Sequence, residues 1–404
     1  MGDSRAVRFS LVVLAAVLVG TPVLFLASDS AAWVAVAWAA LIAALQWVSV
    51  PAPSGDSLLL GVIPAAAMPL LVDDPATVGA AYGVAVLLGA ILRFAIRHGG
   101  PGELASFVLA QTTALAVYGA GLFGTLALLD AAGGARTWAE LLAVGLAGIL
   151  WFTVRSFVRA AVQFERQGIA LRYQWLLALG DWPMALSLVS TAALFGFAYP
   201  VIGWWSLLVA AIPYGFSHVS FVRYAGTRVT YGQTIRALAR IPEVAGLAAE
   251  GHSARTADLA VAIAKDLGLD PSLVTEIEYA ALMHDIGRIT LNEPAILKAG
   301  YTDEDIARWG SQIIAEAPFL VRVADYVLHQ HEPYRRPGEE FDEALSDAAK
   351  IIKVSSAYDQ ATADTGLPPI EAVEVLHRGA AYDFDPRVVS SLRRVVTRRG
   401  ELAH

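Results

Sequence analysis

Residues 201–250 read VIGWWSLLVAAIPYGFSHVSFVRYAGTRVTYGQTIRALARIPEVAGLAAE, and the chain changes character inside this stretch. Positions 201–221 are almost wholly apolar, and about 20 such residues cross a hydrocarbon core about 30 Å thick. Arg223 and Arg228 follow at once, and positions 222–250 mix polar with apolar side chains. Ile235, Leu238 and Ala239 stand ahead of Pro242, which predicts a helix that runs off the last span and breaks near the proline. The chain before this stretch is therefore read as membrane, and the chain after it as a soluble domain.

Towards the N-terminus seven more apolar stretches precede it, at roughly 7–27, 31–50, 57–72, 77–96, 104–128, 138–160 and 174–197. The third is short and contains Pro64 and Pro69, the pattern of a broken or re-entrant helix. Arg5 and Arg8 open the first, but the apolar run is long and lacks a small-residue cleavage site, so it is read as a retained span. Arg93, Arg97, Arg155, Arg159, Arg166, Arg172, Arg223 and Arg228 fall at alternate ends, while the other loops hold Asp29, Asp73, Asp74 and Asp130 against Arg136. Basic loops stay on the cytoplasmic side. The expectation is an inner-membrane protein of about eight spans with both termini in the cytoplasm. Nine of the 10 Trp lie before residue 206, as interfacial anchoring requires. Few charges lie inside the spans, and the clearest is Asp181, in Gly180-Asp181-Trp182-Pro183. A charge there marks a functional residue, or else an interfacial pair with an arginine such as Arg172.

The second half differs in charge. Residues 226–404 hold 19 of the 29 basic and 27 of the 37 acidic side chains, and so the whole net charge of −8. An acidic domain is a poor partner for a nucleic acid polymer. There is no Cys, so any metal must be held by His, carboxylate or water. Helix starts are marked by Asp270-Pro271, Thr302 to Asp305, Pro318, Ser346, Pro368-Pro369 and Asp385-Pro386. Helices are expected from 254 to 267, 271 to 284, 318 to 331 and 346 to 362, among others. No stretch alternates with period two, so the fold class expected is all-α: a polytopic helical membrane domain (1–225), a linker helix (226–250) and a soluble helical bundle (251–404).

His252, His284, Asp285 and Arg288 carry the chemistry. His252 stands at the head of one helix, and the adjacent His284 and Asp285 end another. Imidazole with carboxylate suits Fe, Mn, Zn or a similar ion, which yields a nucleophile from water at neutral pH. Arg288, one turn on, can hold a phosphate oxygen. His329 and His331 are two apart, so a regular helix points them to different faces.

In order and spacing, these residues resemble the HD superfamily of metal-dependent phosphohydrolases, and within it the HD-GYP branch. The resemblance runs from about residue 241 to 400. It is carried by Gly251-His252-Ser253-Ala254-Arg255, Ala281-Leu282-Met283-His284-Asp285-Ile286-Gly287-Arg288-Ile289 and Ala295-Ile296-Leu297. Further on it includes Pro318-Phe319-Leu320, His331-Glu332, Ala357-Tyr358-Asp359, Gly379 and Phe384-Asp385-Pro386. It implies a helical bundle, a divalent metal such as Fe or Mn, and hydrolysis of cyclic di-GMP or another nucleotide under control of the membrane half. It implies His252, His284, Asp285 and His331 as metal ligands, with Asp285 also orienting the attacking water and Arg288 steadying the phosphate.

The departures from the family pattern are equally definite. Residues 308–312 contain no His, Gln330 stands where the first His of a His-His-Glu triplet is expected, and Ser356 stands for a ligand Asp. His329 is the candidate substitute for the lost imidazole. Ala248 replaces the carboxylate of three-metal members, and Pro333 to Gly338 replaces the GYP loop. A three-metal centre is thereby excluded, and one ion is expected. The expected partners are a nucleotide or cyclic dinucleotide, the lipid bilayer and a second copy of the chain. The alternative reading is a degenerate HD domain that binds a nucleotide or protein without hydrolysis; transport through the membrane half rests on Asp181 alone.

Overall fold

The computed structural model describes residues 5–30, 32–52, 54, 57–97, 101–131, 136–292, 300–336, 338 and 345–401. The chain divides into two compact units, Met1–Ala225 and Gly226–His404. Ala295, Ile296 and Leu297, which carry part of the family resemblance, lie outside the described residues.

The first unit contains α1 (Arg5–Leu26), α2 (Ala32–Leu45), β1 (Ser49–Pro51), β2 (Ser57–Leu59), α3 (Val62–Leu71), α4 (Pro75–Arg97), α5 (Pro101–Ala131) and α6 (Arg136–Gln167). After these come α7 (Leu171–Leu179), α8 (Trp182–Ile202) and α9 (Ser206–Ala239), whose residues from Gly226 belong to the second unit. One apolar cluster gathers Leu122, Trp151, Met184 and Leu188, and a second gathers Ile42, Met68, Tyr82 and Val86. Helices α1 and α4 meet at Gly83, where a Cβ would lie 2.0 Å from the Thr21 hydroxyl oxygen, so only glycine permits the approach. Leu11, Val12, Leu146, Ile149 and Phe216 stand exposed on the outside. Exposed apolar side chains in such number belong to a surface that meets lipid or protein rather than water.

Among the described residues, five segments are long and apolar enough to cross a membrane: Arg8–Leu26, Pro75–Arg93, Phe107–Ala131, Trp138–Gln167 and Trp182–Val244, the last including α8 and α9. The expected second and third spans are not single long helices. They form α2 and α3, with 14 and 10 residues, or about 21 Å and about 15 Å of helix. Between them β1 and β2 pair as an antiparallel hairpin, with Ser49 opposite Leu59. Pro51 interrupts any helix there, since it lacks a main-chain donor. This hairpin is the departure from an all-α chain that alternation did not reveal. The expected span 174–197 is likewise interrupted at Gly180 and Asp181, between α7 and α8.

In the second unit α10 (Ile241–Val244) is a single turn, followed by α11 (His252–Asp266), α12 (Pro271–Met283) and a 3-10 segment, Ile286–Asn292. Then come α13 (Asp303–Ala315), α14 (Val321–Leu328), α15 (Asp347–Asp359), α16 (Pro369–Arg378) and α17 (Pro386–Arg398). Helix α9 does not stop at the expected linker: its residues 226–239 pack within this unit, Tyr231 stacking on Phe319 with ring centroids 5.2 Å apart. Caps set the helix limits. Asp270 accepts from the Ser272 N–H at 2.8 Å, Thr302 and Asp305 form a reciprocal capping box, and Ser346 and Asp385 cap α15 and α17. The helix expected to run from Pro318 to His331 is instead a 3-10 turn and then α14, which ends at Leu328. Helix α11 packs on α12, α15 and α17, around the fully buried Ile263, Ile277, Ile351, Ile352 and Leu392.

Candidate metal centre

Each candidate ligand is positioned by local chemistry. Glu243 accepts the main-chain N–H of Gly251 (3.1 Å) and of Ser253 (3.2 Å), closing the start of α11 so that His252 is its first residue. Gly251 holds φ at +75°, which glycine adopts freely. His284 and Asp285 end α12, and Gly287 then lets the 3-10 segment press on α13: a Cβ there would lie 2.0 Å from the Ile306 carbonyl oxygen.

The structure brings His252, His284 and Asp285 together, all buried. The two imidazole Nε2 atoms face each other at 3.2 Å, and Asp285 Oδ2 lies 3.8 Å from the first and 3.7 Å from the second. The outer nitrogens are already committed. His252 Nδ1 meets the Asp359 carboxylate at 2.7 Å, and His284 Nδ1 meets the Ala281 carbonyl oxygen at 2.7 Å. Both partners only accept, so both Nδ1 atoms carry a proton, and in the neutral rings both Nε2 atoms present lone pairs. Ser356 Oγ sits 3.4 Å from each Nε2, but one hydroxyl has one proton and satisfies one lone pair. Two buried acceptors thus converge with a carboxylate and lack sufficient donors. A cation resolves this. Ligands about 2.1 Å from a shared ion stand roughly 3.0–3.5 Å apart at octahedral to tetrahedral angles, close to the separation of the two imidazoles.

Protonation is a poorer solution than a metal. Burial pushes the His284 imidazole below its ordinary value, against an upward pull from Asp285, which favours the neutral form that binds metal. Burial raises the Asp285 carboxyl, but His284 and the Arg288 guanidinium outweigh it and leave the acid below its ordinary value. Arg288 Nε donates to Asp285 Oδ1 at 2.8 Å. His252, His284 and Asp285 each offer one ligand atom, and these atoms lie within 4.8 Å of one another, a grouping able to hold a metal ion.

Other expectations fare differently. His331 lies outside the triad, exposed in the turn after α14, and its carbonyl accepts from Lys353 Nζ at 3.2 Å. His329 does not replace the lost imidazole: its Nδ1 turns back to the Asp325 carbonyl at 2.8 Å. Gln330 is buried beside the site and donates from Nε2 to the His284 carbonyl at 2.9 Å. Asp181, in the first unit, is 0% exposed. It accepts from the Ser54 N–H (2.9 Å), the Ser54 hydroxyl (2.8 Å) and Arg159 (2.9 Å), so its described ion-pair partner is Arg159 and not Arg172. Sequence reasoning missed Asp359 and Arg255 as members of the site. Arg255 clamps both oxygens of Asp359, at 2.7 Å and 3.0 Å, behind His252. Their signals were present: Asp359 shares a helix face with Ser356, and Arg255 lies one turn beyond His252.

Residues 241–388 match the family model of the HD domain. The second unit carries an HD domain. Over 159 residues the chain is 30% identical to a cyclic di-GMP phosphodiesterase of Pseudomonas aeruginosa, covering 36% of this chain and 38% of that protein. It is 28% identical over 181 residues to a cyclic di-GMP phosphodiesterase response regulator of Xanthomonas campestris (40% and 47%), and 27% over 141 residues to a cyclic di-GMP phosphodiesterase of Thermotoga maritima (31% and 38%). The chain spans between 38% and 47% of the length of these relatives. The HD match supports the resemblance of the second unit to the HD superfamily.

Proposed function

We propose that the protein is a membrane-anchored, metal-dependent phosphodiesterase whose HD domain hydrolyses a cyclic dinucleotide. The observation that carries this is the pair of Nε2 lone pairs 3.2 Å apart beside Asp285, with both Nδ1 atoms already hydrogen-bonded. A divalent ion, when bound, supplies Lewis acidity and a nucleophile at neutral pH. The protein's own groups do the rest. Asp359, braced by Arg255, fixes the tautomer and ring plane of His252. The Ala281 carbonyl does the same for His284, and the Gln330 amide holds the main chain at that corner. Arg288, tied at Nε to Asp285 and 28% exposed, offers its terminal nitrogens to a phosphate oxygen. The likeness to three cyclic di-GMP phosphodiesterases supports the substrate class. The test is purified full-length protein loaded with Mn or Fe, incubated with cyclic di-GMP, and scored for linear dinucleotide by chromatography. Product formation that chelator abolishes is expected; intact substrate under every metal contradicts hydrolysis.

A second reading, a domain that binds the nucleotide without cleaving it, is favoured by Ser356 and Gln330. They adjoin the triad with a hydroxyl and an amide where the family resemblance implies a carboxylate and an imidazole. Equilibrium binding of cyclic di-GMP without turnover selects it.

For the first unit, the arginine distribution supports a cytoplasmic-membrane domain with both ends in the cytoplasm. Reporter fusions after Arg172 and at His404 are expected to report the cytoplasm, and a periplasmic signal at either overturns that topology.

A further inference from the structure

The rim of the metal centre carries a second group of side chains that the proposed chemistry leaves unused. From Gln330, whose amide holds the His284 carbonyl, the chain runs outward through 331–335 and meets the turn 379–384. The Tyr334 N–H donates to the Asp383 carbonyl at 3.3 Å, and the Arg335 N–H donates to the Tyr382 carbonyl at 2.8 Å. The turn is itself constrained. Ala381 holds φ at +81°, and among the described residues it is the one non-glycine in the left-handed region. Strain of that kind persists where the surrounding structure imposes it, and here it stands beside Tyr382.

Two features of this rim point to a ligand. Tyr382 stays 49% exposed, with the Arg335 guanidinium 5.0 Å from its ring centroid. A planar cation beside an open aromatic ring is a surface on which a nucleobase stacks. The second feature is Lys353. It stands on α15 three residues before Ser356, whose hydroxyl faces both imidazoles, and so on the same helix face one turn away. Among the described residues its Nζ donates to neutral groups alone, the carbonyls of His331 (3.2 Å) and Glu332 (3.1 Å), and it lies 5.6 Å from the Phe384 ring centroid. Burial pushes this ammonium below its ordinary value, against a longer-range upward pull from Asp383 and Glu332. Two of its three protons are used, and the third suits an anion.

We propose that this rim seats the half of a cyclic dinucleotide that is not being cut, with a base on Tyr382 and Arg335 and the spectator phosphate on Lys353. The assignment rests on the proposed function for its substrate class and adds the residues that recognise it. The triad engages one phosphodiester at a time. The other phosphate and its base need partners of their own, and contacts to such non-reacting parts supply binding energy. The same seat serves a domain that binds the nucleotide without cleaving it.

The experiment measures equilibrium binding of cyclic di-GMP to the full-length, manganese-loaded protein in detergent, with substrate consumption, metal content and melting temperature followed in parallel. Tyr382→Ala and Lys353→Met are each expected to weaken binding by at least about 10-fold, while Tyr382→Phe, which keeps the ring, stays within about threefold of wild type. Metal content and melting temperature are expected to stay at the wild-type level in all three. Wild-type affinity in Tyr382→Ala or in Lys353→Met overturns the seat and leaves the proposed function standing. A wild type that neither binds nor cleaves cyclic di-GMP overturns both. Should a variant lose metal or melt early, labelling of the wild-type amines with acetic anhydride decides. Cyclic di-GMP is expected to protect Lys353 and to leave Lys265, on α11, labelled as before; equal labelling of Lys353 with and without the nucleotide overturns the seat.

Discussion

Asp181 and Asp285 are both buried carboxylates with an arginine beside them, and their surroundings use them in opposite ways. Around Asp181 three donors, two from Ser54 and one from Arg159, converge within 2.9 Å. The group ties the hairpin to α6 at the head of α8. Around Asp285 the balance is left open. One oxygen takes Arg288 at 2.8 Å, and the other faces two imidazole nitrogens at 3.7–3.8 Å that present lone pairs of their own. Burial of charge is common to both. Unspent acceptors pointing at one place are found only at Asp285, and these are what a metal site requires.

The largest separation of the two sites comes from His284→Ala. It removes one of the converging lone pairs, and its effect on metal affinity should exceed the about 10–100-fold that loss of a supporting hydrogen bond costs. Metal content and phosphodiesterase rate of the purified chain measure it. Retained metal at wild-type level would show that the triad is not the binding site.

Asp181→Asn should act on stability alone. Leaving a buried guanidinium without its carboxylate costs about 3–5 kcal/mol. Thermal unfolding of the full chain is expected to fall while the metal content of folded protein stays unchanged. Adding Arg159→Gln should recover part of the loss, and absence of any recovery would sink the tie between these two residues.

A smaller effect is expected for Asp359→Asn, which loosens His252 without removing a ligand. Metal affinity should drop about 10–100-fold, measured by competition with a chelator. Affinity within twofold of wild type would deny Asp359 its orienting part.

Gln330→His with Ser356→Asp is the gentlest test, because it adds donors instead of removing them. If the cluster is the surviving part of a larger centre, metal occupancy and metal-dependent melting temperature should both rise in manganese. A site with no such history should instead lose stability, since an unpaired buried carboxylate is costly. Proton competition sharpens the same contrast. Burial holds the His284 pKa below the ordinary value of about 6.5, so the unfolded chain binds more protons just below that pH. The contribution of His284 to stability is therefore constant above about pH 6.5 and is lost as pH falls from there through the lower folded value. Melting of the metal-free protein from pH 8 to 5 is expected to show this decline, and His284→Gln should remove it.

Much of the second unit was legible because its signals are local. Asp270, Thr302, Ser346 and Asp385 bond to main-chain N–H groups two or three residues away, so spacing alone marks the helix starts. His284 and Asp285 are adjacent, and their joint placement at the end of α12 needed no distant partner. The end of α14 was not legible: nothing in residues 318–331 signals a stop at Leu328, after which Gln330 lies at the site and His331 outside it. The hairpin escaped notice because its strands, Ser49–Pro51 and Ser57–Leu59, are three residues each, too short to display a period of two.

Composition and short-range chemistry therefore settle that the first half is mostly apolar helix and that the second is a capped helical bundle. These depend on residues within a turn or two of each other. Which side chain meets which buried charge is decided only when the helices pack. Asp359 reaches His252 across 107 positions, and Ser54 reaches Asp181 across 127. Such pairs form because a buried carboxylate must find donors wherever the fold brings them, and no spacing in the chain encodes that distance.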